Sequence, residues 1–578
     1  LAWLCSQALV GTYYPEERHP ISRVLQRLYE PPCRWVLRHP RTTLALAAAA
    51  VLTTVPVFLR LGSEFMPPLQ EESLLYMPTT LPGISVDEAA RILQVQDKVL
   101  RTFPEVARVF GKAGRADTST DPAPLSMMET TVLLRPEDTW RRVPRWYSDW
   151  APAWARRVLR LFWRDTVTQD ALIEEMDRAL QLPGFTNAWT MPIKGRLDML
   201  STGIRTPVGI KLSGADLETL ERLGLDLERL LRQVPGTRSV FAERAVGGSF
   251  LDIDLDRHAL ARYGLSMDDA QAVVTTAIGG DNQGYTVEGR ARYPINVRYA
   301  RDYRHDLDAL GRVLVPVPSG AQVPMAQIAR LSLLDGPAMI RDENGLLTSY
   351  VFVDFDTSAV DVGTYVAHAK AAVEAAVSLP AGVTLSFSGQ YENMLRVKER
   401  LQIIVPVTLA LIFGLLTMNT RSAFKAGLVM LAVPFSAIGA VWLIYALGYN
   451  LSIAVWVGVI ALLGLDAETG VFMLLFLDHA YDDACRGGHM RHRADLEEAI
   501  IHGAVKRVRP KAMTVCAAFM GLLPIMWSAG TGADLMKRIA APMVGGLVTS
   551  FALELLVYPA VYYLWRLRHL PPSAQERA

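Results

Sequence analysis

Cysteine is almost absent from this sequence. The 578 residues include four cysteines, and the long polar stretch of residues 63–399 contains none. No Cys-x-x-Cys pair occurs in the chain. A scaffold held by disulfides and a zinc site built from thiolates are therefore both excluded.

An excess of charge of one sign is also missing. Lys and Arg number 59, Asp and Glu number 58, and the formal net charge is +1. Proteins that bind nucleic acid normally carry a basic excess, so we expect no nucleic-acid partner. The chain also lacks Gly-x-x-x-x-Gly-Lys-Ser/Thr, His-Glu-x-x-His and nucleophile-elbow motifs. These absences disfavour an ATP-driven pump and a hydrolase.

Long apolar runs are what the chain has instead. Hydrophobic residues make up 51% of it. A helix needs about 20 apolar residues to cross a bilayer, and five stretches are long enough. They cover residues 42–61, 401–418, 426–447, 451–477 and 539–564, with a weaker sixth at 512–528. Residues 1–11 are apolar without the features of a signal peptide, and we expect them to end a further span.

Basic residues cluster in alternate connections between these stretches. The positive-inside rule places such connections in the cytoplasm. Residues 63–399 then lie on the outside face, together with the turns at 448–450 and 528–534. The basic residues used for this assignment are Arg34, Arg38, Arg41, Arg421, Lys425, Arg486, Arg491, Arg493, Lys506, Arg507, Arg509, Arg566 and Arg568.

The outside region has a repeated strand–helix–strand pattern. Three such units are predicted, within residues 74–134, 208–254 and 350–389. Units of this length are typical of split βαβ, ferredoxin-like subdomains. Residues 280–345 interrupt the pattern and are predicted to form an inserted lobe. The fold class is thus an α-helical membrane bundle plus an α+β domain outside it.

Residues 140–163 are unusually rich in tryptophan. Five of the twelve tryptophans fall there, with many arginines between them. A packed insertion is the favoured interpretation. An amphipathic helix on the outer leaflet is the second, and base stacking is the third.

Several stretches resemble the resistance-nodulation-division (RND) efflux pumps, in particular the copper/silver members of the heavy-metal, Cus/Czc-type branch. The stretches are LLYMPTTLPG (74–83), EVARVFGKAGRADTSTDPAPLSMMETT (105–131), GRLDMLSTGIRTPVGIKLSG (195–214), TVEGRARYPINVRY (286–299), AETGVFML (467–474) and HGAVKRVRPKAMTV (502–515). The resemblance implies the C-terminal half of a pump with two homologous halves of six spans each. It also implies a multi-pass protein of the bacterial inner membrane with a large periplasmic domain.

The resemblance further implies partners and a domain plan. The partners are the missing N-terminal half, two further copies in a homotrimer, a periplasmic adaptor and an outer-membrane channel. The domains are expected at 1–41 (end of the sixth span and cytoplasmic linker), 42–62 (transmembrane helix), 63–399 (periplasmic pore and docking domain, docking insertion at 280–345), 400–566 (five transmembrane helices) and 567–578 (cytoplasmic tail).

Methionine is the candidate metal ligand. Eleven methionines fall within residues 63–399, and their soft, neutral thioethers suit Cu(I) and Ag(I) better than Zn²⁺ or Ni²⁺. The resemblance implies a three-methionine site formed by Met77, Met127 and Met199. Met128 is an alternative to Met127, because alternation on a strand lets only one of them face the cleft. By the same resemblance Met536 is a possible stepping stone for the ion.

Ionisable residues inside a membrane span are costly and indicate function. Asp466 and Glu468 lie near the middle of 451–477, and Lys511 opens the weak span. The resemblance implies that Glu468 relays protons with Lys511 as its partner. Two residues apart on a helix, Asp466 and Glu468 cannot both face Lys511, so Asp466 is taken as a second carboxylate, directed at the interface between the halves. Snorkelling at the cytoplasmic end is the alternative for Lys511.

The expected function is proton-driven efflux of Cu(I) or Ag(I) through a tripartite cell-envelope pump. Such a protein is a proton/metal antiporter, without enzyme activity and without a permanently bound cofactor. A divalent Zn, Co or Ni exporter is the alternative within the family. A non-transporting fragment or regulatory half-protein is the alternative outside the family's function. The DNA upstream of the gene distinguishes this alternative from a pump, because it shows whether the missing six spans are encoded there.

Overall fold

The computed structural model describes residues 20–568, apart from residues 68, 70, 81, 115–122, 163–164, 245, 338, 358, 489, 491 and 529. The predicted span at 1–11 therefore lies outside the described residues, as do most of the predicted tail 567–578 and part of the stretch 105–131 that carries the resemblance.

The helices of the described residues are α1 (Pro20–Arg38), α2 (Pro40–Leu59), α3 (Val86–Leu100), α4 (Ala153–Phe162), α5 (Gln169–Ala179), α6 (Pro192–Thr202), α7 (Leu217–Leu231), α8 (Arg257–Arg262), α9 (Met267–Val273), α10 (Leu307–Gly311), α11 (Val362–Ala376), α12 (Gln390–Thr420), α13 (Ala423–Met430), α14 (Ala432–Ala446), α15 (Ile453–Arg486), α16 (Arg493–Met526) and α17 (Ala533–Leu567). The strands are β1 (Ser73–Tyr76), β2 (Val106–Ala113), β3 (Met128–Leu134), β4 (Trp189–Thr190), β5 (Val208–Gly214), β6 (Thr237–Ala242), β7 (Val246–Leu255), β8 (Asp281–Glu288), β9 (Ala291–Val297), β10 (Leu314–Pro316), β11 (Gln322–Pro324), β12 (Ala329–Pro337), β13 (Asp342–Glu343), β14 (Leu346–Phe355) and β15 (Thr384–Gly389).

Six helical segments within the described residues are long and apolar enough to cross a membrane: α2, α12, α13 with α14, α15, α16 and α17. Each coincides with one of the predicted spans. The helices are longer than the apolar runs, however. α16 is continuous over 34 residues, although only residues 512–528 read as a span. The helix extends further because a helix does not need an apolar surface once it leaves the membrane.

Helix α17 lies at the centre of the bundle and packs against α2, α14, α15 and α16. Small residues permit this packing. A Cβ atom added to Gly439 of α14 would lie 2.0 Å from the carbonyl oxygen of Gly545 of α17. One added to Gly458 of α15 would lie 2.2 Å from the carbonyl oxygen of Ile539. Glycine at helix crossings lets backbones approach closely, which is how helices associate where the hydrophobic effect does not drive them together.

The two ends of the bundle agree with the predicted alternation. At one end Leu451 N–H donates to the carbonyl of Gly62 over 2.8 Å, so the turn at 448–450 meets the start of the outside region. At the other end Asp478 accepts from Lys425 over 2.6 Å and from Arg566 over 3.0 Å. The basic connections thus share one face.

Helix α1 forms part of the predicted linker. It packs against α16 and α17. The Tyr29 hydroxyl donates to the carbonyl of Leu555 over 2.6 Å, and Arg34 bridges Glu30 and Glu498. The described part of the linker is therefore an ordered helix attached to the bundle.

Residues 60–389, called here the α/β region, contain two larger sheets. The first has the strand order β2-β3-β1-β4 and is antiparallel. Its helix α3 begins where the Ser85 hydroxyl accepts from the N–H of Glu88 over 3.2 Å, as the Ser-x-x-Glu spacing predicts. Leu100 of α3 and Leu172 of α5 pack in one core with Leu74 and Val132 of the sheet.

The second sheet has the order β15-β5-β14-β6, extended by the short β13. Its chain order is β–α–β–β–α–β, with α7 and α11 as the two helices. Side chains of both helices, such as Leu227 and Tyr365, pack against Ile210 and Val351 of the sheet. The predicted second and third units thus combine in one sheet.

The strand predicted near Leu251–Asp254 does not join this sheet. It is part of β7, which pairs with β12 in a two-stranded ribbon. The ribbon carries a lobe with its own core, from Ala259 to Ile328. The inserted lobe therefore begins before residue 280. From it projects the hairpin β8–β9, whose side chains are almost all exposed.

The tryptophan-rich stretch is packed only in part. Trp140 is buried, and its indole N–H donates to the carbonyl of Arg135 over 2.7 Å. Trp146, Trp150 and Trp154 are between 60% and 74% exposed, so the packed-insertion prediction is wrong for them. Trp163 lies outside the described residues.

Candidate metal site and buried charges

Three predicted metal ligands meet in one cluster of the α/β region. Met77 and Met127 are buried there, and the partly buried Met199 packs against them. Antiparallel pairing of β1 with β3 continues into a bridge between Thr79 and Met127, which aligns the segments that carry the first two. Met199 comes from α6. We call this group the methionine cluster.

A cavity of about 220 Å³ opens beside the cluster. Met127 and Met199 line it, whereas Met77 lies behind the lining and has no exposed surface. Two of the three thioethers can therefore reach an ion in this cavity, and the third requires a rearrangement of the cleft.

Arg205 also lines the cavity. Its Nη1 donates to the sulfur of Met127 over 3.1 Å, and its guanidinium carbon lies 4.1 Å from the centre of the Phe352 ring. Burial lowers the pKa of Arg205 to about 10, and nearby Glu243 opposes this shift. The side chain therefore stays charged at neutral pH, and its donated N–H occupies one lone pair of the Met127 thioether.

The other methionine candidates lie elsewhere. Met128 is fully buried at the start of β3 and does not line the cavity. Its neighbour Glu129 forms an ion pair with Lys112 over 3.1 Å. Met536 lies in the first turn of α17, is 46% exposed, and belongs neither to the methionine cluster nor to the lining of the cavity.

Lys511 occupies the middle of α16 and is 1% exposed, which contradicts the snorkelling alternative. Its ammonium group forms an ion pair with Glu554 of α17, which is fully buried. The Ser550 hydroxyl donates to the other oxygen of Glu554 over 2.7 Å. Glu554 was not among the predicted site residues, although it is an ionisable residue within the span 539–564, as Glu468 is within 451–477.

Glu468 is placed differently. It is exposed on the surface of the chain and lines, with Lys511 and Arg507, a cavity of about 260 Å³. Within the described residues no hydrogen bond or ion pair joins Glu468 to Lys511. The predicted pairing of these two side chains is therefore absent from this conformation, and Glu554 takes the lysine instead.

Asp466 does not face outward, contrary to the interpretation that it points to the other half. It is 1% exposed and lies near Ser436, Ser550 and Glu554 inside the bundle. Neither of its carboxylate oxygens has a hydrogen-bond partner within the described residues.

Comparison with known proteins connects these features to one family. The model of the AcrB/AcrD/AcrF family matches residues 4–145 and 162–566. It thus passes over residues 146–161, where three of the tryptophans lie.

The chain is similar to the cation efflux system protein CusA of Escherichia coli (strain K12), with 42% identity over 97% of the chain and 51% of that protein. The cobalt-zinc-cadmium resistance protein CzcA of Cupriavidus metallidurans is 30% identical over 96% of the chain and 50% of that protein. A crystal structure of a heavy metal efflux pump matches with a TM-score of 0.79 and 28% identity, over 95% of this chain and 53% of that one. The chain spans about half the length of the curated relatives it matches.

Proposed function

Because the chain belongs to the AcrB/AcrD/AcrF family, we propose that it serves as one half of a CusA-like RND pump that exports Cu(I) or Ag(I). The observation that carries this proposal is the methionine cluster. Met77, Met127 and Met199 come from separate segments and gather beside a cavity of the α/β region. Thioethers favour soft monovalent ions and need no deprotonation to bind them.

The divalent alternative has less support. Zn²⁺, Co²⁺ and Ni²⁺ are bound mainly by imidazole and carboxylate ligands. Among the described residues no group of three His, Cys, Asp or Glu side chains is placed to hold a metal ion. The chain is also more similar to CusA, at 42% identity, than to the cobalt-zinc-cadmium protein CzcA, at 30%.

The location and assembly belong to the same proposal. The six apolar helices lie in the bacterial inner membrane, and the α/β region lies in the periplasm as ferredoxin-like pore subdomains and a docking lobe. The working pump is a homotrimer in which the other half, of about equal length, completes each protomer. An adaptor and an outer-membrane channel take up the exported ion.

Protons supply the energy in this proposal. Glu468 takes up and releases the proton, Lys511 balances its charge, and Asp466 is a further carboxylate of the relay. The cavity shared by Glu468 and Lys511 supports this arrangement, because a proton transfer between them needs a space that water can enter.

The substitution Met199→Ile tests the metal site. In a metal-sensitive strain that carries the complete pump, we expect this variant to lose copper and silver tolerance, since isoleucine keeps the bulk and removes the sulfur. Protein level in the membrane should not change. Met325→Ile is the matched control, because Met325 is fully buried in the core of the lobe and far from any predicted ligand. Full tolerance in Met199→Ile contradicts the three-methionine site.

The substitution Glu468→Gln tests the relay. In vesicles reconstituted with the complete pump, we expect metal-dependent proton flux to stop while metal binding is retained, since glutamine cannot carry the proton and the methionine cluster is untouched. Flux is followed with a pH-sensitive dye, and binding by titration with Ag(I). Undiminished proton flux removes Glu468 from the relay.

A further inference from the structure

Three charged side chains from three helices meet in the interior of the bundle. They are Asp466 of α15, Lys511 of α16 and Glu554 of α17, and each is at most 1% exposed. We call them the buried triad. All three come from this chain, so the triad is complete without residues of the other half.

The two carboxyl groups of the triad have unequal surroundings. Glu554 receives the ammonium group of Lys511 and the hydroxyl of Ser550, and the Thr469 hydroxyl lies 3.4 Å from it. Asp466 receives no hydrogen bond on either oxygen from the described residues. Lys511 therefore forms its direct ion pair with Glu554, and its one positive charge is shared through space with Asp466.

The net charge of the triad depends on how many of its three groups are ionised. With all three groups ionised the triad carries a net charge of −1. Removing an ion from water costs several kcal/mol unless it is paired and hydrogen-bonded, and a second carboxylate that shares one site with a first resists ionisation. One proton on Asp466 makes the triad neutral.

One further cation, Arg507, lies near the triad, and its charge acts on Lys511. On α16, the guanidinium carbon of Arg507 lies 4.8 Å from the centre of the Phe472 ring. On α17, the Tyr558 ring is 6.0 Å from the Lys511 ammonium, and its hydroxyl donates to the carbonyl of Val429 over 2.9 Å. Glu468 of α15 adds only negative charge, and α14 contributes the neutral Ser436.

We propose that the buried triad is a second proton-binding site of this protein, in which Asp466 holds the proton while Lys511 pairs with Glu554. On release, the O–H bond of Asp466 breaks, its electron pair stays on the carboxylate, and the proton passes to water in the cavity beside Lys511. The ammonium of Lys511 then stands between two carboxylates. The part of this site in transport rests on the proposed function, whereas the bound proton does not.

Infrared spectroscopy of the full chain in nanodiscs of uncharged lipid tests the proposal. We expect the C=O stretching band of a protonated carboxylic acid to persist at pH 8. Burial raises the pKa of Asp354 in the α/β region to about 7, so at pH 8 that group is mostly ionised and contributes little. Asp466→Asn should remove the band, and Asp354→Asn should leave it nearly unchanged. Absence of the band, or its persistence in Asp466→Asn, overturns the proposal.

A second variant keeps the test decisive if Asp466→Asn does not fold. Lys511→Met removes the cation of the triad and leaves two buried carboxyl groups without a counter-ion. Both should then be protonated, and the intensity of the band should roughly double. Unchanged intensity overturns the proposal. Proton flux in Glu468→Gln is a separate measurement. The proposed transport function and the proposed proton site can therefore be contradicted independently of each other.

Discussion

The carboxyl group of Asp354 is buried in the second sheet of the α/β region. It lies on β14 opposite Ser239 of β6 and is 8% exposed. Burial raises its pKa to about 7; the cation of Arg238 opposes this shift, and the carboxylates of Asp177 and Asp356 add to it. The folded protein therefore keeps a proton on Asp354 at acidities where the unfolded chain has lost it.

This difference predicts a pH dependence of stability. The folded-state pKa lies above the unfolded value of about 4, so the stabilisation present below pH 4 is lost as the pH rises toward 7. The loss is at most about 4 kcal/mol. Melting curves of the full chain in detergent should give a lower melting temperature at pH 8 than at pH 5.5. Asp354→Asn should reduce this difference, and an equal difference in the variant contradicts the assignment.

The candidate site could be predicted from the sequence only where a motif marked single residues. Composition does not distinguish the eleven methionines of residues 63–399 from one another. The resemblance selected the three that meet in the cluster. That Met77 lies behind the cavity lining depends on packing, which motifs do not encode. Glu554 could have been found, because a carboxylate inside a span is costly wherever it occurs. Its pairing with Lys511 could not, since it depends on how α16 and α17 are rotated.

Among the elements, the crossing of α14 and α17 depends most directly on residue size. Gly439 and Gly545 each leave room for the other helix, and a Cβ atom added to either would lie within 2.3 Å of a backbone oxygen of its neighbour. A backbone oxygen cannot move aside as a flexible side chain can, so any larger residue must separate the helices.

We therefore expect Gly439→Val to destabilise the bundle strongly. The helices must separate, and the packing of α17 against α15 and α16 is disturbed with them. The readout is the melting temperature of the full chain in detergent, together with the fraction that remains monodisperse after extraction. Gly414→Val on α12 is the control, because a Cβ atom there meets nothing within 4 Å. Equal stability of the two variants contradicts the packing argument.

Helices and strands differed in how well the sequence predicted them. Each helix of the described residues that is long and apolar enough to cross a membrane was predicted, because about 20 apolar residues in a row have few other uses. The ends of α16 were not predicted. An apolar run marks only the part of a helix that crosses a membrane, and α16 continues beyond that part. The strands were located approximately, but their partners were not. β7 pairs with β12 across more than 70 residues of chain, and alternation within one strand contains no information about its partner.

On the scale of the whole molecule, the hairpin β8–β9 projects from the lobe with almost all of its side chains exposed. Tyr285 and Val287 are 63% and 65% exposed, and Tyr293 and Ile295 of the facing strand are about half exposed. Apolar side chains on a projecting hairpin indicate a contact with another protein. In the proposed trimer this contact is a neighbouring copy.

The double substitution Tyr285→Ser and Val287→Ser should therefore shift the complete pump from trimer toward monomer. The protomer itself should keep its melting temperature, because neither side chain belongs to a core. Native mass spectrometry in detergent measures the oligomeric state. Phe110→Ser on β2 is the control, since that side chain is 72% exposed and belongs to a different sheet. A trimer as stable as the original contradicts the role of the hairpin.

Three of the apolar helices are also incompletely packed. In α12 only 6% of the residues in the most apolar window are buried, and in α2 and α16 only 17%. The sequence indicated all three as spans but could not predict which faces remain open, because burial depends on what packs against each helix. Such open faces agree with a chain that spans about half of its relatives.

The unbroken course of α16 has a mechanical consequence. At 1.5 Å per residue its 34 residues form a rod of about 50 Å. Proline removes a backbone hydrogen bond and weakens a helix locally, and Pro510 precedes Lys511 directly. The rod contains a second proline, Pro524, but Pro510 is the one beside the ion pair with Glu554. A tilt of about 5° there displaces the Arg493 end by about 2 Å, and the contact between Arg34 and Glu498 carries that displacement to α1.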